Sequence, residues 1–242
     1  VTPPLFLAEE LPAGDVLMLA GEEGRHAARV KRLRVGEPVL VSDGRGSLLD
    51  CVVSAVGPDG LRLSVSSRRF VAAAAPRLVV VQALPKGDRA ELAVEVLTEL
   101  GADEIVPWAA ARAIVHWIGP RGERAWEKWR RTAREATKQS RRAWLPTVAP
   151  LASTAEVAAR LAGGVGLVLH EDAAEPLATT ALPPDRDVVV VVGPEGGIAP
   201  DELSDFAAVG ARPVRLGEPV LRTSTAGAAA LAVLSTRLGR WG

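Results

Sequence analysis

Val188 to Phe206 reads VVVVVGPEGGIAPDELSDF. Five consecutive valines with no polar alternation read as a buried strand. The run breaks at Gly193-Pro194-Glu195-Gly196-Gly197, and a helical pattern follows with Pro200 in its first turn. Glycines there permit positive φ and let a ligand or another chain approach the backbone. The carboxyl end of a buried strand is also where open α/β sheets bind ligands. The turn is not a dinucleotide fingerprint, because G-x-G-x-x-G is absent, nor a P-loop, because no Gly-Lys-Ser/Thr follows. On the pentapeptide alone two readings stay open, a tight strand-to-helix turn and a ligand-binding loop.

The flanking sequence repeats the arrangement. Val168-Leu169-His170-Glu171-Asp172 ends an earlier strand, and Arg212–Val220 forms a later one that runs into LGEPVLRTSTAGAAAL (Leu216–Leu231). Three strand ends with backbone-rich loops can build one pocket, with apolar walls from Leu169, Ile198, Leu216 and Leu221. Upstream, LVVVQAL (Leu78–Leu84) reads as a buried strand, and a helix follows with Asp88 as its cap and Gly101 at its end. Its apolar stripe is Leu92, Ala93, Val96, Leu97 and Leu100. DEIVPW is a further strand, Glu123–Ala143 a basic helix, and Thr223–Leu238 an Ala-rich closing helix. Strands alternating with helices predict a mostly parallel α/β sheet.

The first third of the chain differs. Residues 36–70 read as strands, and LRLSVS (Leu61–Ser66) alternates apolar and polar positions. Asp43-Gly44 and Pro58-Asp59-Gly60 are turn signals. This predicts a small β domain, a compact barrel, over residues 1–71. VAAAAPR (Val71–Arg77) is its linker to an α/β domain over residues 76–242.

At 242 residues the chain can bury a sizeable core without a metal or disulfide staple. One cysteine, Cys51, excludes an internal disulfide and an iron–sulfur cluster, and fits a cytoplasmic setting. His26, His116 and His170 lack metal-ligand spacing, so no metal is expected. No apolar run reaches membrane-spanning length, and the N-terminus does not read as a signal peptide. Net charge is zero but unevenly spread. Residues 121–142 hold nine basic side chains (Arg121, Arg124, Lys128, Arg130, Arg131, Arg134, Lys138, Arg141, Arg142) against Glu123, Glu127 and Glu135. Arg25, Arg29, Lys31, Arg32 and Arg34 form a second cluster. Such clusters suit a polyanion partner, although a solvated face is the usual fate of a charged helix. Trp126, Trp129 and Trp144 interleave with the charges, for base stacking or for packing.

GPEGG followed by LGEPVLRTSTA resembles the RsmE family of bacterial 16S rRNA (uracil-N3)-methyltransferases, in the SPOUT superfamily. Further segments resemble it in the same order: His26 to Gly36 (HAARVKRLRVG), Asp43-Gly44 with Gly46, ALPKGDRAELAVEVLTELGADEIVPW, and Gln139-Ser140 with Arg142 and Pro146. The resemblance implies a PUA-like N-terminal β-barrel that binds RNA. It implies a C-terminal SPOUT α/β domain with a deep trefoil knot, a homodimer, and a uridine in 16S rRNA of the 30S subunit as substrate.

The implied cofactor is S-adenosylmethionine, held by Leu169, His170, Val192, Gly193, Pro194, Glu195, Gly196, Gly197, Leu216, Gly217, Val220, Leu221, Arg222, Thr223 and Ala226. The glycines would keep side chains out of the adenine slot. Arg222 and Glu195 are the catalytic candidates, Arg222 to favour the uracil anion. Thr223 and Thr225 are candidate helix caps. The RNA contacts would come from Arg25, Arg29, Lys31, Arg32, Arg34, Lys86, Arg134, Lys138, Arg141 and Arg142. Where many relatives carry Arg-Thr-Glu-Thr, this chain has Arg222-Thr223-Ser224-Thr225, which leaves the general base open. A SPOUT ribose 2′-O-methyltransferase and an inactive RNA-binding homologue are the alternatives.

Overall fold

The computed structural model describes residues 2–241. The chain divides into two compact units. One runs to Ala73 and takes in Thr137–Leu145; the other comprises Ala74–Ala136 and the chain from Pro146 onward.

The first unit is a five-stranded sheet of β1 (Leu5–Leu7), β2 (Val16–Leu19), β3 (Pro38–Ser42), β4 (Ser47–Gly57) and β5 (Gly60–Phe70), in the order β1-β3-β4-β5-β2. β1 runs parallel to β3, and the other pairings are antiparallel. The alternation of LRLSVS appears in β5, where Leu61 and Leu63 are buried while Arg62 and Ser64 face out. At the Asp43-Gly44 turn, the Asp43 carboxylate accepts from the amides of Arg45 (2.7 Å) and Ser47 (3.1 Å). That local competition with the ladder is what makes Asp a turn residue. Between β2 and β3 lie α1 (Gly21–Arg25) and one π-helical turn, His26–Val30. Cys51 sits in the core beside Phe6, Val39 and Leu63. Burial, and then the Asp50 carboxylate, push its thiol up to about 11.

The second unit holds six parallel strands in the order β11-β9-β10-β6-β7-β8. They are β6 (Leu78–Ala83), β7 (Glu104–Trp108), β8 (Thr147–Val148), β9 (Val165–Leu169), β10 (Val188–Val192) and β11 (Arg212–Val214). Helices α2 (Arg89–Glu99), α3 (Gly119–Ser140), α4 (Thr154–Gly163), α5 (Pro200–Ala208) and α6 (Thr223–Arg237) connect them.

The five valines of β10 divide between the sheet's faces. Val188, Val190 and Val192 pack with Leu97 of α2, Trp129 of α3 and Leu231 of α6. Val189 and Val191 pack with Val157 and Leu161 of α4 and Phe206 of α5. Cover on both faces is why the strand shows no polar alternation. Gly166 in β9 leaves room for α4, since a Cβ there would lie 2.9 Å from Leu161 and 3.0 Å from Ala211.

Several local expectations change. Leu92 of α2 is exposed and Val94 is buried, so the packed stripe is Ala93, Val94, Leu97 and Thr98. Asp88 occupies the cap position, but its side chain makes no capping bond. Gly101 ends the helix as expected, with φ of 95°. The strand expected over Arg212–Val220 stops at Val214, because the chain turns away to line a cavity. Trp126, Trp129 and Trp144 are packing residues: Trp129 is buried edge-on to Trp117, and the Trp126 and Trp144 indoles donate to the carbonyls of Ala149 (2.8 Å) and Val71 (2.9 Å).

Glu202 of α5 is buried and ties three segments of the second unit together. Its carboxylate accepts from the Ala111 amide (2.8 Å), the Thr154 hydroxyl (3.0 Å) and the Ala199 amide (3.0 Å). Glu202→Ala leaves these donors unpaired and is expected to cost about 2–3 kcal/mol in urea unfolding. In the first unit, Cys51 is expected to resist iodoacetamide at pH 8 in the folded protein and to react within minutes in denaturant. Equal labelling rates would show that the thiol is reachable in the native fold.

Candidate functional site

The carboxyl ends of β9, β10 and β11 open onto one cavity of about 370 Å³. Its walls come from the residues after β9, the turn 193–198 and the loop 214–223, closed by Ala226 of α6. The lining is apolar at Leu169, Val192, Ile198, Leu216, Val220 and Leu221, and His170, Glu171, Glu195 and Thr223 are among its polar residues. A concave site with apolar walls and a few polar groups suits a small organic ligand.

The glycines of the turn answer to neighbours within the chain. A Cβ on Gly193 would lie 2.8 Å from the Ile198 side chain. One on Gly196 would lie 3.0 Å from the Arg112 carbonyl, and Gly197 has φ of 73°. The turn's own packing and conformation therefore already call for glycine at these positions. Gly196 accordingly points at Arg112 and is not part of the cavity wall, whereas Leu169, His170, Val192, Gly193, Pro194, Glu195, Gly197, Leu216, Gly217, Val220, Leu221, Arg222, Thr223 and Ala226 are.

One side chain ties two loops together, and another shapes its own loop. The Glu195 carboxylate accepts the Lys86 amide at 3.1 Å, joining the turn to the loop after β6. The His170 Nδ1 accepts the Asp172 amide at 3.2 Å and so shapes the chain after β9. Gln82 is buried at the end of β6, where its amide donates to the carbonyls of Ala83 (3.0 Å) and Thr223 (3.3 Å). This pins the start of α6 to the central strand.

Arg222 stands at the N-cap of α6 with no side-chain capping bond. Its guanidinium is exposed at the cavity and has no hydrogen bond or ion pair among the described residues. Neither threonine caps the helix: Thr223 is buried in the cavity wall, and the Thr225 hydroxyl donates to the Arg222 carbonyl at 3.2 Å. Ser224 is buried, and its hydroxyl has no hydrogen-bond partner among the described residues.

Arg89 and Arg215 also line the cavity, and sequence reading missed both. Arg89 opens α2 just after the carboxyl end of β6, so the strand-end rule applied to that strand would have found it. Arg215 follows β11, whose predicted length hid it.

The basic candidates separate. Arg25, Arg29, Lys31, Arg32, Arg34 and Arg141 are exposed on the first unit. Lys138 is buried against Glu23 in an ion pair of 3.1 Å. Arg134 and Arg142 are partly buried, and Lys86 is exposed beside the second unit's cavity loops. Among the described residues no group of His, Cys, Asp and Glu could hold a metal.

Two family models match the chain. Residues 73–235 match the model of an RNA methyltransferase domain, and residues 19–66 that of an RNA methyltransferase PUA domain. Ribosomal RNA small subunit methyltransferase E of Mycobacterium tuberculosis is 46% identical over 98% of this chain and 93% of its own length. The crystal structure of the protein of the same name from Neisseria gonorrhoeae, bound to S-adenosyl methionine, superposes with a TM-score of 0.88 at 26% identity, covering 98% of each chain. A methyltransferase from Legionella pneumophila, solved in complex with SAM, gives the same TM-score at 26% identity and the same coverage. With a matched catalytic-domain model over more than half its length and a full-length relative at this identity, the chain belongs to the RNA methyltransferase family whose curated members are named ribosomal RNA small subunit methyltransferase E.

Proposed function

We propose that this protein transfers a methyl group from S-adenosylmethionine to N3 of a uridine in 16S rRNA of the small ribosomal subunit. The observation that carries the reading is the cavity at three parallel strand ends, in a chain whose relatives of equal length superpose on it with that cofactor bound. A cavity of about 370 Å³ is within the usual range of small-molecule sites, roughly 300–1,000 Å³. Its apolar walls and few polar groups fit an adenosine, and Leu169, Val192, Ile198, Leu216 and Leu221 would hold the base. When bound, the cofactor supplies a methyl group already activated on a sulfonium.

The protein's own task is therefore to orient the uracil, favour loss of its N3 proton and exclude water. N3 lies on the pairing edge of the base, so the uridine enters unpaired or flipped out. Arg222, with no side-chain partner among the described residues, stabilises the oxygen that gains charge as N3 loses its proton. Glu195 acts by positioning, since its carboxylate holds the Lys86 loop against the turn. The cofactor set is that of the cavity wall, with Gly196 acting behind it.

The finer architecture belongs to the same proposal. The domains are residues 1–71, a PUA-like barrel closing the five-stranded sheet, and residues 76–242, a SPOUT domain. Loops 193–198 and 214–223 crowd one cavity from the ends of β10 and β11, which flank β9 in the sheet, and this supports reading the domain's end as a trefoil knot. A homodimer would cover Val220, Ile114 and Ile118, large apolar side chains left exposed in the second unit. The setting is cytoplasmic. No helix among the described residues is long and apolar enough to cross a membrane. Arg25, Arg29, Lys31, Arg32, Arg34, Lys86, Arg134, Lys138, Arg141 and Arg142 supply the positive field for RNA.

Methyl transfer from labelled S-adenosylmethionine to 30S subunits lacking the modification, followed by nucleoside analysis, is expected to give 3-methyluridine. A 2′-O-methylated nucleoside would reassign the reaction, and cofactor binding without any product would leave an RNA-binding homologue. Arg222→Ala is expected to lower kcat by about 10²–10³-fold, the scale of one lost oxyanion donor. Calorimetry should show a much smaller loss of cofactor affinity than of kcat, and Arg222→Lys should recover part of the rate.

A further inference from the structure

A second cavity, of about 260 Å³, lies entirely within the first unit. Three separate segments meet there: the N-terminal strand at Phe6, the π-helical turn with Lys31 at His26 and Lys31, and the end of α3 at Lys138, Gln139 and Arg141. A merely solvated basic face would spread its cations outward. Here three cationic side chains and His26 converge on one recess instead.

Local backbone geometry marks the same place. The π-turn His26–Val30 is the only π-helical segment among the described residues, and such turns recur at functional sites. Two non-glycine residues have left-handed backbones, Arg32 with φ of 53° and Arg141 with φ of 54°. One follows the lining residue Lys31, and the other lines the cavity itself. Each closes a helix end, with the Leu33 amide donating to the Ala27 carbonyl at 3.2 Å and the Arg142 amide to the Thr137 carbonyl at 3.1 Å, so both helix ends terminate at the recess.

The side chains are also held in place. Lys138 pairs with Glu23 at 3.1 Å, with side-chain exposures of only 7% and 13%. A buried ion pair of this kind adds little net stability, because desolvation offsets its attraction. Its effect is to fix an ammonium at the wall. Arg141 is fixed in the same way, its Nε donating to the Pro3 carbonyl at 3.1 Å.

From this convergence we infer that the recess is a socket for one phosphodiester and its sugar in the RNA substrate. This rests on the proposed reading of the protein as an rRNA methyltransferase. Lys31, Lys138 and Arg141 outweigh the single carboxylate of Glu23 and select an oxyanion, with His26 as a further hydrogen-bonding group. Gln139 offers an amide to the sugar hydroxyls. Phe6 is only 1% exposed and presents no ring for base stacking, so the socket reads the backbone and not the sequence. Its role is to set the register of the RNA on the protein.

The test uses the full chain with Lys31→Ala, Lys31→Arg and Arg141→Gly, the last tolerating the left-handed backbone. Binding to 30S subunits lacking the modification is measured against salt, and cofactor affinity by calorimetry. Lys31→Ala is expected to weaken RNA binding and to flatten the slope of log Kd against log salt by about one phosphate contact. The loss in methyl transfer should fall on KM, cofactor affinity should hold, and Lys31→Arg should restore the slope. Lys31→Ala and Arg141→Gly binding RNA with wild-type affinity and slope would overturn the socket while leaving the methyltransferase reading intact. Failure of the wild type to bind subunits would overturn both. Inorganic phosphate that binds at micromolar concentration, and is lost in the same variants without change in RNA affinity, would reassign the recess to a free anion.

Discussion

Everything in the second unit depends on the enclosure of β10. The strand is hydrogen-bonded on both edges, to β6 and β9, and covered on both faces by helices. A chain leaving such a strand has one free direction, upward from the carboxyl end. It must turn at once, because Ile198 already packs over Gly193 and the Arg112 carbonyl already lies against Gly196. The turn therefore has no freedom to bear side chains on its inner contacts. Gly193, Pro194, Glu195 and Gly197 of the turn nevertheless line the cavity.

That constraint sets the division of labour at the site. Loops built this way recognise by shape, which is precise but chemically neutral. Charge has to come from their margins. It does so at Arg89, Arg215 and Arg222, each standing just beyond a strand end or at the start of a helix. Gln82 makes the arrangement rigid, since its buried amide spans the end of β6 and the Thr223 carbonyl. A shift of α6 would break that bond inside the core, so Arg222 inherits its position from the central strand.

The parts of this design legible in sequence are those governed by periodicity and strand ends. The run of valines announced enclosure, LRLSVS announced a half-buried strand, and the Gly-rich turns announced the cavity. What was hidden depends on tertiary choice. Leu92 and Val94 are equally plausible members of an amphipathic stripe, and only the packing of α2 selects Val94. The residues after Val214 have strand-like composition, yet they peel away because the cavity loop needs their length. The return of Thr137–Leu145 to the first unit is invisible in composition, since the basic helix α3 carries on through Ala136 without a break. Gly193 and Gly196 were read as space for a ligand, whereas their neighbours in the chain already account for them.

Ser224 shows how the same physics bears on the departure from the resembling family's pattern. Its side chain is buried in the first turn of α6, and its hydroxyl has no partner among the described residues. An unpaired hydroxyl in such a place costs on the order of 1–3 kcal/mol, whereas an unpaired carboxylate would cost far more or take up a proton. A glutamate at this position is thus sustainable only with a cation or a substrate group to meet it. Serine removes that demand. The nearest groups that remain to influence the uracil anion are the arginines at the cavity's margin, and the free guanidinium of Arg222 adjoins Ser224 only two residues along the chain. On the proposed reaction, the cationic margin is therefore the part of the site that would carry stabilisation of the anion.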